Sequence, residues 1–151
     1  MKNLANFGGM SLVGLLVASS AMAQEGGGGR GGGGWGAGTA YGRMYDVKTV
    51  ESIRGEVVAV ERFTPQAGMS AGIHLQVKTQ TETVSVHLGP AWYIERQDAQ
   101  IAAKDTIEVK GSRITIQGKP AIIAAEVRKG DDTLILRDTA GVPMWSGWRR
   151  R

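Results

Sequence analysis

The most regular feature of the chain is an alternation of apolar and polar residues in two neighbouring runs, 73–78 and 84–88. Every second residue is Ile, Leu or Val, and the residues between them are polar. This period predicts two strands, each with one buried face. Folding the runs into a hairpin places Ile73 opposite Leu88 and keeps apolar residues opposite apolar ones throughout. A slip of one residue would destroy that match, so the pattern itself predicts the register.

Two further elements flank this hairpin. The run 51–63 is rich in β-branched residues and contains Gly55. An interior glycine often marks a bulge or bend, so we predict a long bent strand that serves two neighbours. After the hairpin, Gly89 ends the strand, and residues 90–97 predict a short helix with Pro90 in its first turn.

The second half of the chain predicts more strands separated by turns. Apolar alternation or β-branched runs cover 106–111 continuing into 112–117, then 120–128, then 133–137. The chain is therefore predicted to be mainly β. The order of three strands, one short helix and two or three more strands is typical of a small OB-fold-like barrel of five to six strands. An SH3-like barrel is the main alternative, but it lacks the helix between strands three and four.

The sequence also predicts how the chain is divided. Lys2, the apolar run 12–18 and the small residues at 21–23 are typical of a signal peptide cleaved near Ala23, so 1–23 is assigned to it. Residues 24–44 are glycine-rich and predict a flexible, disordered linker. The barrel is assigned to 45–141 and a Trp- and Arg-rich tail to 142–151. The signal predicts a periplasmic or secreted protein.

Composition excludes some chemistry. The chain contains no cysteine, which rules out disulfides, thiolate metal sites and haem attachment through cysteine. The formal net charge is +4, and three of the positive charges are the arginines at 149–151. The predicted barrel is therefore close to neutral, which argues against nucleic acid as a partner despite the basic tail.

Two histidines are the candidate metal ligands. In the predicted hairpin, His74 and His87 face each other on the polar side, with Cβ atoms about 5 Å apart. Two neutral imidazoles at that separation can share a divalent ion such as Cu, Ni or Zn. The alternative is an ordinary cross-strand pair on a partly exposed face, which acid would weaken if both rings became charged.

The predicted contact residues lie on the helix and in the tail. Tyr93 can contribute an aromatic surface near the barrel mouth, whereas Trp92 is expected to plug the barrel. In the tail, Trp145 is expected to pack on the barrel. The residues left for a partner are Trp148, Arg149, Arg150 and Arg151. Trp and Arg are enriched at interface hot spots, so the expected partner is another exported or membrane protein or a small ligand. The same residue types can also contact an anionic membrane surface.

No catalytic motif is present. The chain lacks G-x-S-x-G, H-E-x-x-H, a cysteine nucleophile and the Gly-Lys-Ser/Thr of a phosphate loop. The sequence therefore predicts a protein that is not an enzyme.

Three stretches carry a resemblance to known proteins: 55–97, 104–131 and 136–150, with HLGPAWYI and VPMWSGWRR as their most particular pieces. They resemble the MamS/MamX magnetosome domain family and, more loosely, the periplasmic bacterial OB-fold family. The resemblance implies a small exported β domain with an accessory role. The haem chemistry of MamX cannot be carried over without cysteine. We expect a non-enzymatic binding module. The alternatives are a metal-associated accessory protein that uses the histidine pair and a nucleic-acid-binding OB-fold protein.

Overall fold

A computed structural model of the protein describes residues 33–146. Two short 3-10 turns, Gly42–Met44 and Val47–Thr49, precede the strands. The strands and the helix follow in this order: β1 Val50–Phe63, β2 Gly72–Lys78, β3 Thr83–Pro90, α1 Ala91–Ile94, β4 Thr106–Ile116, β5 Lys119–Lys129 and β6 Asp132–Ile135. The predicted mainly-β class, with one short helix between the third and fourth strands, is confirmed.

The strands close into a ring. Sequential pairing gives the sheet order β3-β2-β1-β4-β5-β6, in which all neighbours are antiparallel. A parallel pairing between β3 and β5, from Ser85↔Ala121 to His87↔Ile123, then joins the first strand of this order to the fifth. Five strands thus enclose a common interior, and β6 extends β5 beyond the ring.

β1 is the long bent strand that the sequence predicts. Its first half, Val50 to Glu56, pairs with β4, and its second half pairs with β2. Gly55 lies at the changeover, where an added Cβ would stand 2.4 Å from the Lys78 carbonyl oxygen, so only glycine allows this approach. A register shift follows between Val57 and Ala59.

The predicted hairpin register is confirmed over most of its length and wrong at one end. His74 pairs with His87, and Val77 pairs with Val84, as the alternation predicts. Ile73, however, pairs with Gly89 instead of Leu88, because the register shifts between Ile73 and His74. Leu88 is the extra residue at this shift, and it remains buried. Because it is apolar, the shift leaves the alternation intact and gives no signal in the sequence.

The ring has buried side chains on both of its sides, in the interior and on the outer face. Leu75, Val86 and Ile122 form a buried row across three neighbouring strands. Ile123, next along β5, is also fully buried. Since successive strand residues point to opposite faces, β5 must be covered on its outside as well.

Residues from the two ends of the described chain cover the outer side of the ring. The domain therefore extends beyond the predicted barrel boundaries at both ends. The glycine-rich composition of residues 33–44 predicts a flexible linker, yet Trp35 and Tyr41 are fully buried in the core. Two large aromatic side chains provide the apolar area that glycine lacks, and this overrides the composition. At the other end, Trp145 packs into the same core beyond the predicted limit at 141, as was predicted for this residue.

The remaining assignments fall outside the described residues. These are the signal peptide at 1–23, the linker residues 24–32, and the tail residues 147–151 with Trp148, Arg149, Arg150 and Arg151. Within 33–146, no helix has the length and the apolar character needed to cross a membrane.

Candidate functional site: the outer face of β1, β2 and β3

The outer face of the first three strands brings several chemically active side chains into one row. Glu61 on β1 is the register partner of His74 on β2, and His74 is the partner of His87 on β3. Ser85 lies two residues before His87 and therefore on the same face. Partners across strands have Cβ atoms about 5 Å apart, so these side chains can contact one another directly.

His74 is held by three neighbours. Its Nδ1 lies 2.9 Å from Ser85 Oγ, and its Nε2 lies 2.8 Å from Glu61 Oε1. The Phe63 ring stacks on the imidazole with a centroid separation of 4.2 Å and an interplanar angle of 6°. The His74 side chain retains 15% exposure, so it is fixed in orientation but still reaches solvent.

His87 is in a different environment. The sequence places it on a partly exposed polar face, but its exposure is 3%, because Tyr41 and Phe63 cover it. Its Nδ1 lies 2.7 Å from the Tyr41 hydroxyl. Burial and, to a smaller extent, repulsion from His74 together lower the pKa of His87 to about 3. Burial also raises the pKa of the Tyr41 phenol. Both groups are therefore neutral, and the phenol donates to the imidazole.

The histidine pair has the predicted register, but its nitrogens already have partners. The two ring centroids are 6.1 Å apart. Three of the four ring nitrogens hydrogen-bond to Tyr41, Ser85 or Glu61. No group of three or more His, Cys, Asp or Glu side chains in the described part of the chain could hold a metal ion. Shared binding of a divalent ion by His74 and His87 stays a prediction from the sequence.

Two tryptophans, Trp35 and Trp145, form what we call the terminal clamp. Trp145 Nε1 donates to the Trp35 carbonyl oxygen at 2.9 Å, and Trp35 Nε1 donates to the Ser70 carbonyl oxygen at 3.0 Å. Each indole lies over a glycine: a Cβ on Gly72 would be 2.2 Å from the Trp35 ring, and one on Gly89 would be 2.8 Å from the Trp145 ring. The clamp thus ties both ends of the described chain to β2 and β3.

Arg137 lies beside this clamp as a buried cation. Its exposure is 3%, and Nη1 donates to the Gly141 carbonyl oxygen at 3.0 Å. Its guanidinium carbon lies 5.1 Å from the Tyr45 ring centroid and 5.4 Å from that of Trp145. Burial lowers the pKa of Arg137. The two rings stabilise the charge through their π faces, and Nε is buried without a hydrogen-bond partner in the described structure.

The predicted contact residue Tyr93 lies mostly below the surface. It is buried on α1, and its ring centroid is 5.3 Å from that of Trp145. The sequence does not reveal that Trp145 would pack beside it. Trp92 is partly buried against the core, in keeping with the expected plugging role.

The sequence does not reveal the roles of Glu61 and Tyr41. Tyr41 lies in a glycine-rich stretch that predicts no structure. Glu61 meets His74 only because of the register shift in β1. Continued without a shift from Val57↔Val77, the pairing would place Glu61 opposite Ile73 instead. The position of Ser85 on the histidine face, in contrast, follows from the alternation in β3.

Comparison with known proteins identifies the family. No individual curated protein matches the chain. The model of the MamS/MamX magnetosome protein family matches residues 49–134, which is 86 of the 151 residues. The match spans the five strands of the ring and therefore includes Glu61, His74, Ser85 and His87. Because more than half of the chain is matched, the protein belongs to the MamS/MamX magnetosome protein family.

Proposed function

We propose that the protein is an exported accessory module of the magnetosome system that acts through contacts with another exported or membrane protein or with a small ligand. The family match supports the magnetosome setting. Lys2, the apolar run 12–18 and Ala23 support export with cleavage of a signal peptide. Localisation in the periplasm or outside the cell follows from that export.

We further propose that the domain is an OB-fold. The support is the ring order β1-β2-β3-β5-β4, together with a helix between β3 and β4. OB-folds are partly open five-stranded barrels that bind extended ligands through the face of their second and third strands. In this chain Trp35 and Tyr41 cover part of that face. For a partner protein or an extended ligand, a contact region away from the covered part of this face is therefore the better candidate.

The observation that carries the proposal is the hydrogen bond from Trp145 to Trp35 in the terminal clamp. It brings the two ends of the described domain together. In the sequence, the glycine-rich residues 24–32 precede Trp35 and residues 147–151 follow Trp145. A glycine-rich segment gives reach, and Trp148 with three arginines has the side chains that dominate interface hot spots.

Site-specific cross-linking in a magnetosome-forming bacterium tests this proposal. A photoreactive amino acid replaces Trp148 in the full chain, and a matched control places it at Thr81, exposed in the turn at the opposite end of β3 from Gly89. We expect Trp148 to cross-link to one exported or membrane protein, and replacement of the three arginines by serine to abolish the product. The purified partner should then bind the triple variant at least about tenfold more weakly.

Two results would contradict the proposal. One is identical products from positions 148 and 81, or no product from 148. The other is an intact mass that still includes residues 1–23, which would contradict the predicted cleavage near Ala23.

A metal-associated role that uses His74 and His87 ranks below this proposal, although the two residues are direct cross-strand partners. We expect no stoichiometric uptake of Cu, Ni or Zn at this pair, since three of the four ring nitrogens are hydrogen-bonded. Metal titration of the wild type beside the double variant His74→Ala/His87→Ala checks this. Stoichiometric binding that disappears in the double variant would put the metal role first.

A further inference from the structure

Ser85, His74 and Glu61 form a continuous chain of hydrogen bonds across three neighbouring strands. Ser85 Oγ lies 2.9 Å from His74 Nδ1, and His74 Nε2 lies 2.8 Å from Glu61 Oε1. A hydroxyl, an imidazole and a carboxylate joined in this order are the parts of an activated serine nucleophile. Such constellations occur on unrelated folds and are identified by geometry and not by sequence position.

The carboxylate determines which ring nitrogen of His74 carries the proton. An ionised Glu61 can only accept a hydrogen bond, so Nε2 must donate to it. In the neutral ring, Nδ1 then has no proton and accepts from the Ser85 hydroxyl. The proton arrangement is therefore the one in which the imidazole can take the serine proton as a general base.

The surrounding structure holds the base in place. Phe63 stacks flat against the His74 ring, and both polar partners project from strands and not from mobile loops. Glu61 faces His74 because of the register shift between Val57 and Ala59 in β1. A site built on paired strands is preorganised, since little freedom is lost when a substrate arrives.

The site is also open to a substrate. The side chain of Glu61 is 52% exposed, His74 keeps 15% exposure, and Ser85 is partly exposed. Gln76 is the register partner of Ser85, which places its amide on the same face beside the hydroxyl. An amide N–H there can donate to an oxyanion that develops next to Ser85.

We propose that Ser85 is the nucleophile of an acyl-transfer site that hydrolyses small carboxylic esters. Ser85 Oγ attacks the ester carbonyl carbon while its proton passes to His74 Nδ1, and Glu61 stabilises the resulting imidazolium. The carbon–oxygen bond to the alcohol then breaks, and the departing oxygen takes the proton from Nδ1. Water repeats the sequence on the acyl-serine, which releases the carboxylic acid and restores Ser85.

This activity goes beyond the proposed accessory role and does not depend on it. Ser85 lies in the middle of a strand without a surrounding hydrolase motif, so the sequence alone predicts no enzyme. A positive result would replace that expectation, whereas the contact proposed for the tail would be unaffected.

Covalent labelling with a fluorophosphonate tests the nucleophile directly. The purified full chain is treated with the probe, and the labelled residue is identified by intact mass and peptide mapping. We expect one adduct, on Ser85, and hydrolysis of 4-nitrophenyl acetate above the rate of Ser85→Ala. His74→Gln should lower the labelling rate by on the order of 100-fold. Ser52→Ala, at an exposed serine elsewhere on β1, should label like the wild type.

Glu61 is a positioning residue, so its test uses a conservative variant. Glu61→Gln should slow labelling, and Glu61→Asp should restore part of the rate, with circular dichroism showing that every variant is folded. The proposal is overturned if the wild type gives no adduct on Ser85, or if folded His74→Gln labels as fast as the wild type. Labelling of Ser85 without ester turnover would contradict the hydrolytic step.

Discussion

Replacement of Trp35 by alanine is expected to lower the free energy of unfolding by about 3 to 5 kcal/mol, in the range found for large aromatic residues removed from cores. Trp35 is fully buried, and its ring contacts those of Tyr41 and Phe63 at centroid separations of 5.0 and 6.1 Å. Its carbonyl oxygen also accepts the indole proton of Trp145. The alanine variant keeps this backbone acceptor, but it loses the packing of the indole against Tyr41 and Phe63 and the hydrogen bond from the indole to the Ser70 carbonyl oxygen.

Urea denaturation of the purified chain, followed by circular dichroism, measures this effect. The matched control is Trp35→Phe, which keeps an aromatic ring and most of the apolar surface but loses the hydrogen bond to the Ser70 carbonyl oxygen. We expect the control to retain most of the stability that Trp35→Ala loses. An alanine variant within about 1 kcal/mol of the wild type would show that residues 33–44 are not part of the cooperative domain.

The strands could be predicted because burial of one face leaves a period of two in the sequence. The hairpin register from His74 to Val77 follows from that period alone, and the bend in β1 follows from Gly55. The shift that pairs Ile73 with Gly89 could not be predicted, since an inserted residue that is itself apolar preserves the pattern. The terminal clamp does not follow from the composition, which is an average over a whole segment. Whether residues 33–44 are ordered depends instead on two aromatic side chains, Trp35 and Tyr41.

The candidate site, too, could be predicted from the sequence only in part. Alternation assigns His74, Ser85 and His87 to one face, but it does not say what covers that face. Tyr41 buries His87 from a distance of 46 residues along the chain, and Glu61 reaches His74 only through a shift in register. Both contacts depend on long-range geometry, so no local pattern could reveal that one histidine is a buried acceptor and the other a solvent-accessible base.

The buried acceptor makes the stability of the protein sensitive to acid. The folded state lowers the pKa of His87 to about 3, whereas in the unfolded chain its pKa is near the ordinary histidine value of 6.5. Between these two values the unfolded state binds one proton more than the folded state. The contribution of neutral His87 to stability is therefore complete above pH 6.5 and is lost as the pH falls toward 3. From pH 7 to pH 5 we expect the free energy of unfolding to fall by about 2 kcal/mol through this residue.

A variant that keeps the hydrogen bond but cannot titrate isolates this effect. In His87→Gln, the side-chain carbonyl can still accept from the Tyr41 hydroxyl, and carboxylates elsewhere titrate as in the wild type. Urea denaturation of both proteins at pH 7 and pH 5 gives the two changes in stability, and the comparison removes any constant cost of the substitution. We expect the wild type to lose about 2 kcal/mol more than the variant over this interval. Equal losses would mean that His87 takes up its proton in the folded state near pH 6.5, which its burial against Tyr41 and Phe63 should prevent.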